Sequence, residues 1–354
     1  MKYEYKNITS LLTLFKSRNM QGIDETNEIT YQKNINTIQT IGYYKLKQYG
    51  YPFYNKETLT YSNISFKQLV DRYYRDQALK QEIFQIITDI ETAINNQIAN
   101  VLGEAGPYDY LSFGKWCQRN SKNRFLKNRY MDKYSVKKEE LDFLSKLQYK
   151  IKKSNFEDLI EFKRNDSDNF FPPVWLMVNT LTFGESIHII KLMSRRKRET
   201  IANFFNLDVV TFIKWIDLLN LIRNICCHNG DLVDIKLKTN PIVPRKYRQY
   251  LNISNIDGES LPHNFSMVVC VLLELMKCIN PKHKIYNIFY RLAKLCSMGK
   301  YDKNKLAQNI GFKDYYSMKR MIFSFYGHQT VKFFPNGNIY VVNNHQKDTS
   351  NHNM

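Results

Sequence analysis

Several familiar kinds of chemistry are missing from this sequence. It contains no H-E-x-x-H, no P-loop, no G-x-G-x-x-G and no G-x-S-x-G. The motifs of zinc peptidases, P-loop nucleotide hydrolases, dinucleotide oxidoreductases and α/β-hydrolases are therefore all absent. The six cysteines, Cys117, Cys226, Cys227, Cys270, Cys278 and Cys296, never form a C-x-x-C pair. This leaves no zinc or thioredoxin-like signature and suggests buried thiols in a reducing compartment. No apolar run approaches the ~20 residues a membrane helix needs. The longest, residues 267–279, is interrupted by Glu274 and Lys277, and the opening Met1-Lys2-Tyr3-Glu4-Tyr5-Lys6 lacks the apolar core of a signal peptide. A cytoplasmic protein with no membrane association, no metal and no cofactor is expected. Acidic residues are also scarce, 33 against 52 Lys and Arg in 354 residues, for a formal charge of +19. Such an excess attracts polyanions, nucleic acid first among them, although an AT-rich coding bias toward Lys, Asn, Tyr and Ile produces part of it. The length suits one large domain or two ordinary ones.

What the chain does have is helical periodicity. Residues 29–39, with isoleucines at 35 and 38, predict a short helix with Thr30 as candidate N-cap. Residues 41–53 then interleave tyrosine and lysine around Gly42 and Gly50. Tyr43, Tyr44, Lys45 and Lys47 can stack bases and contact phosphate of single-stranded RNA. The same block also reads as an aromatic wall packing a helix elbow, with tyrosine rings buried and hydroxyls wet. Ser65 opens a long helix to about Leu102, with apolar groups at 79, 83, 86, 87, 90, 94, 98 and 101. Gly103 and Gly106-Pro107 end it. Residues 108–134 read as an irregular basic excursion over the surface, 137–151 as a helix, and 163–169 as a polar linker. Pro172-Pro173 suits the first turn of a helix over 174–181. Gly184-Glu185-Ser186 reads as an interruption before a second helix to Met193. The run Arg195-Arg196-Lys197-Arg198 is a basic knuckle between helices, a solvated turn or a phosphate contact. Helices are also expected over 265–279 and 284–298. Residues 331–342 predict a hairpin joined by an Asn-Gly turn, and 345–354 a disordered tail.

The richest stretch runs from Asn220 through Asp231. Asp208 can cap its helix and Gly230 can stop it. The helix commits Ile213, Ile216, Leu219, Ile222, Ile225 and Cys226 to the core, yet ends in Arg223, Asn224, His228 and Asn229. This set suits RNA cleavage without a metal. A histidine can take the proton of a 2′-hydroxyl or give one to the leaving 5′-oxygen. An arginine can hold the phosphate with its planar fork, and Asn224 can orient the imidazole. The structural alternative is that Arg223 and His228 cap carbonyls or pair with buried acids. At ~100° per residue, positions i and i+5 lie about 140° apart, so one helix does not easily bring Arg223 and His228 to the same atom. Either the last turn unwinds or a second copy supplies the complementary groups.

The segment R-N-I-C-C-H-N, residues 223–229, resembles the R-x4-H signature of HEPN ribonucleases. Two more blocks are similar to those of Abi-like proteins of bacterial abortive infection, of AbiD and AbiF type. These are I-G-Y-Y-K-L-K-Q-Y-G-Y-P-F at 41–53 and P-P-V-W-L-M-V-N-T-L-T-F-G-E-S-I-H-I at 172–189, in matching order. Lys45, Lys47 and Asn95 depart from residues common in that family. The resemblance covers roughly residues 30–300. It implies an all-α, HEPN-type helical bundle, to which the pattern of the chain adds N-terminal helices and a small C-terminal β-hairpin. The expected divisions of the chain are 1–64, a domain over 65–300 with a basic insertion near 108–135, an extension over 301–345, and the tail. It also implies a homodimeric endoribonuclease toxin with Arg223 and His228 catalytic and Asn224 supporting. Such a toxin cuts substrate RNA to 2′,3′-cyclic phosphate and is restrained by a small non-coding RNA or another antitoxin. A catalytically silent RNA-binding protein using the same basic surface is the alternative.

Overall fold

The computed structural model describes residues 5–165, 170–239, 241–253, 260–298, 302–327, 330–333 and 339–342. It is all-α, with three short two-stranded antiparallel pairings among the described residues. In chain order the first helices are α1 (Ile8–Ser17), α2 (Glu28–Ile41) and α3 (Tyr43–Gly50). The long α4 (Phe66–Gly103) follows, then α5 (Phe113–Trp116), α6 (Lys133–Lys153), α7 (Glu157–Asn165), α8 (Val174–Met177) and α9 (Phe183–Leu192). Next come α10 (Arg195–Phe204), α11 (Val209–Cys227), α12 (Phe265–Ile279), α13 (Tyr286–Cys296), α14 (Lys303–Ile310) and α15 (Tyr315–Phe323). Strands Thr330–Phe333 and Ile339–Val342 pair antiparallel; the expected Asn-Gly turn and the tail lie outside the described residues. No helix among the described residues is long and apolar enough to cross a membrane.

The axis of the fold is α4. Leu79, Ile83, Ile86, Ile87, Ile90, Ile94 and Ile98 are all fully buried on it. At ~1.5–3 kcal/mol per buried aliphatic side chain, this column is a large apolar contribution from one element. Helices α3, α8, α9, α10, α11, α12 and α13 all pack against it. Its start is fixed locally by a capping box: Ser65 Oγ accepts the Gln68 amide at 3.3 Å and Gln68 Oε1 accepts the Ser65 amide at 2.9 Å.

Several local expectations need correction. The N-cap of α2 is Asn27, which accepts the Thr30 amide at 3.0 Å, so Thr30 lies inside the helix. The basic excursion is pinned into the core: Tyr110, Phe113, Trp116 and Met131 are buried, and the Tyr110 hydroxyl donates to the Pro172 carbonyl at 2.7 Å. Its anchors come from far along the chain, which periodicity within the segment cannot reveal. The polar linker is partly helical, since Lys163 and Arg164 belong to α7. Gly184-Glu185-Ser186 is the first turn of α9, because Thr182 caps it and Glu185 completes a capping box; the break falls at Leu181 instead. The run from Arg195 to Arg198 is likewise the first turn of α10.

Replacing Ser65 with alanine removes one half of the box and is expected to cost about 1 kcal/mol in urea unfolding, with the folding cooperativity unchanged.

Candidate functional site

Helix α11 begins at Asp208, whose carboxylate accepts the Val210 and Thr211 amides at 2.9 and 3.0 Å. It buries Ile213, Ile216, Leu219 and Ile222 completely or nearly so. Its end is a Schellman turn. His228 is the C-cap and its amide donates to the Asn224 carbonyl at 2.9 Å, while the Gly230 amide donates to the Ile225 carbonyl at 2.8 Å. The left-handed residue is Asn229, with φ 54°, and not Gly230. Glycine is needed at 230 for space: a Cβ there would lie 2.8 Å from Ile225 Cγ2.

A buried polar network holds this turn. Lys80 of α4 is 2% exposed and Asp76, one turn earlier, 0%. The Lys80 ammonium pairs with Asp76 at 3.3 Å and donates to Asn229 Oδ1 at 2.9 Å and to the Gly230 carbonyl at 2.8 Å. Gln77 also donates to Asn229 Oδ1, and Lys45 donates to the Asn229 carbonyl. Asp76 is saturated as an acceptor by the Tyr49 hydroxyl at 2.8 Å and by the Leu232 and Val233 amides at 3.4 and 2.9 Å. One turn before Asp76, Arg72 donates to both carboxylate oxygens of Asp234, at 2.7 and 2.8 Å. Burial pushes Asp76 upward, with Lys80, Tyr49 and the two amides opposing. Burial also pushes the Asp231 carboxyl up to about 7, reinforced by the charges of Asp234 and Asp76. Burial and then the Lys80 charge lower the pKa of Lys45.

Beside the network opens a cleft of about 730 Å³, lined by His228, Asn229, Asp231, Lys45, Tyr51 and Lys236 among others. His228 is exposed, and its ring makes no hydrogen bond among the described residues. Arg223 does not line the cleft. Its guanidinium carbon lies 6.0 Å from the Phe84 ring centroid on α4, and its buried Nε has no acceptor. Glu91 feels its charge without forming an ion pair. Asn224 is exposed.

The structure divides the two basic candidate blocks. Tyr43 is buried against Phe15 with centroids 4.5 Å apart, and its hydroxyl accepts from Arg18 at 3.0 Å; it belongs to the aromatic wall. Tyr44 is 74% exposed, Lys45 reaches the cleft, and Lys47 lies 5.9 Å from the Tyr51 ring centroid. Arg195 pairs with Glu199 at 2.7 Å and Arg196 is exposed, but Lys197 donates to the Val101 carbonyl at 2.8 Å and Arg198 is buried. The knuckle is thus half structural.

Residues 36–234 match the model of the family described as Abi-like protein, more than half of the chain. The chain belongs to that family. No curated protein and no solved structure matches it. Family membership suggests an abortive-infection role. In this Abi-like chain the match ends at Asp234, the residue Arg72 grips, and so takes in the whole network. Periodicity and motif do not single out Arg72, Asp76, Lys80 or Tyr49. The available signal is that three charges at i, i+4 and i+8 continue the line of the apolar column of α4, on the face it commits to the core.

Lys80→Met strands the Asp76 carboxylate and the Gly230 carbonyl, and is expected to cost ~3–5 kcal/mol in denaturant unfolding. Adding Asp76→Asn should recover part of that loss, because the stranded charge is gone. A second expectation concerns pH. Asp231 has a folded pKa above its unfolded value near 3.8, so the folded protein holds the extra proton between them. Its stabilising contribution is complete below about pH 4 and disappears as pH rises through about 7. Asp231→Asn should therefore flatten the decline in melting temperature across that window and leave the acid limit unchanged.

Proposed function

We propose that this Abi-like chain is a metal-independent endoribonuclease of the HEPN type and the AbiD and AbiF branch, a toxin of anti-phage abortive infection. The observation that carries the reading is how the polar end of α11 divides its work. Capping is done by Asn229, Gly230 and the backbone of His228, and the polar network anchors Asn229 and Gly230. The side chains of Arg223, Asn224 and His228 are not consumed by capping. Arg223 keeps an Nε without an acceptor and His228 faces solvent at a cleft. A fold that needed these groups only for its own stability would have paired them.

In the proposed reaction the 2′-hydroxyl attacks phosphorus and the 5′-oxygen leaves, giving a 2′,3′-cyclic phosphate and a 5′-hydroxyl. His228 accepts the 2′-proton or delivers one to the 5′-oxygen, Arg223 stabilises the additional negative charge on the phosphoryl oxygens, and Asn224 orients the imidazole. One copy holds Arg223 against Phe84 while His228 lines the cleft. The site is accordingly completed by a second copy, as a homodimer. A toxin with such exposed groups requires restraint in the cell, for which a small non-coding RNA or another antitoxin is the proposed partner.

Purified protein is expected to cleave RNA in EDTA and to lose specific activity on dilution below the dimer dissociation constant. Arg223→Ala and His228→Ala should each lower cleavage by roughly 10²–10⁴-fold with an unchanged circular dichroism spectrum. Undiminished cutting in either variant removes the assigned roles. If no fragments form under any condition, and both variants lose RNA affinity in a salt-dependent way, the protein grips RNA without cutting it.

A further inference from the structure

A second basic cavity lies away from the end of α11. It has a volume of about 670 Å³ and opens between residues 118–125, helix α10 and the start of α11. Lys122, Arg124, Phe125, Arg195 and Arg198 line it. Arg198 is only 6% exposed. Its two Nη atoms donate to the Lys191 carbonyl at 3.0 Å and to Gln118 Oε1 at 2.7 Å, both neutral acceptors, and its Nε has no acceptor at all. The guanidinium carbons of Arg124 and Arg198 lie 4.8 and 5.0 Å from the centroid of the same Phe125 ring. Two acids also line it, and both are already engaged: Glu199 pairs with Arg195, and Asp208 caps α11. Lys122, Arg124 and Arg198 thus have no carboxylate partner among the described residues. Burial and the Arg124 charge, with Glu199 opposing, lower Arg198 to about 10, so it remains cationic at neutral pH.

A guanidinium removed from water with no carboxylate in ion-pair contact, beside a second one, is costly to a fold. The arrangement becomes favourable when an anion occupies the cavity. Planar forks of donors match phosphate oxygens better than a spherical ion, and the volume exceeds inorganic phosphate and admits a nucleotide unit. We propose that this cavity binds the phosphate of a nucleotide unit, as part of an RNA strand or as a free nucleotide, at a site separate from His228. Arg124 and Lys122 contact the phosphate from the exposed rim, Arg198 supplies charge from the wall, and Phe125 provides the apolar side. The proposal does not rest on the ribonuclease reading, since it uses none of Arg223, Asn224 and His228.

The test is calorimetric titration of the full-length protein with inorganic phosphate, AMP, ATP and a 5′-phosphorylated 2′-O-methyl RNA oligonucleotide, which lacks the attacking hydroxyl. At least one of the nucleotide probes should bind saturably. Arg124→Glu should weaken that binding by at least about tenfold, the scale of one charge-assisted contact. Lys127→Glu makes the same charge change three residues away, outside the cavity, and should stay within about twofold of the parent. Binding by the mononucleotides assigns a free ligand; binding by the oligonucleotide alone assigns a strand. Absence of saturable binding to every probe, saturable binding to inorganic phosphate alone, or equal weakening in both variants overturns the proposal.

Discussion

The buried ion pair of Asp76 and Lys80 is the constraint on which the rest of the candidate site depends. Two opposite charges inside a helical bundle are tolerated only when every remaining lone pair and proton finds a partner. Here the partners come from three places. Tyr49 reaches in from α3, the Leu232 and Val233 amides from the segment after α11, and the Asn229 side chain and Gly230 carbonyl from the turn that ends α11. Satisfying one pair therefore ties the N-terminal helices, the central helix and the end of α11 into one rigid arrangement. His228 is placed by this network without belonging to it.

That arrangement explains why a polar sequence at the end of an apolar helix separates into two groups. Asn229 adopts the left-handed conformation and accepts from Lys80 and Gln77, while Gly230 is required where Ile225 leaves no room for a Cβ. Arg223, Asn224 and His228 remain outside that network. A helix end that is both well capped and rich in spare polar groups is over-provisioned for stability alone, which is the physical basis for reading it functionally.

The positive charge is similarly divided. Lys80, Arg72 and Arg198 are nearly buried and contribute to the interior, two of them paired with carboxylates and one paired with none. A formal charge of +19 describes the field around the molecule but not which cations are available. The basic knuckle shows the difference: Lys197 and Arg198 bond backbone and side-chain oxygens of other elements, whereas Arg195 and Arg196 remain at the surface.

The sequence by itself determined the helical architecture, the long central helix with its Ser65 cap and apolar repeat, the cap of α11 at Asp208, and the polar end of α11 as the place where chemistry concentrates. These are legible because a helix writes its period and its first-turn hydrogen bonds within a few neighbouring residues. Only the tertiary structure decided which of those polar residues hold the fold. Lys80 and Asn229 are 149 positions apart, Asp76 and Val233 are 157 apart, and no local period connects them. The same reason accounts for the basic excursion, whose anchors lie at Pro172 and Lys191, and for Arg198, whose burial depends on Gln118 and Lys191. Burial is a property of what packs against a residue, and long-range packing between helices leaves no mark on the spacing within either one.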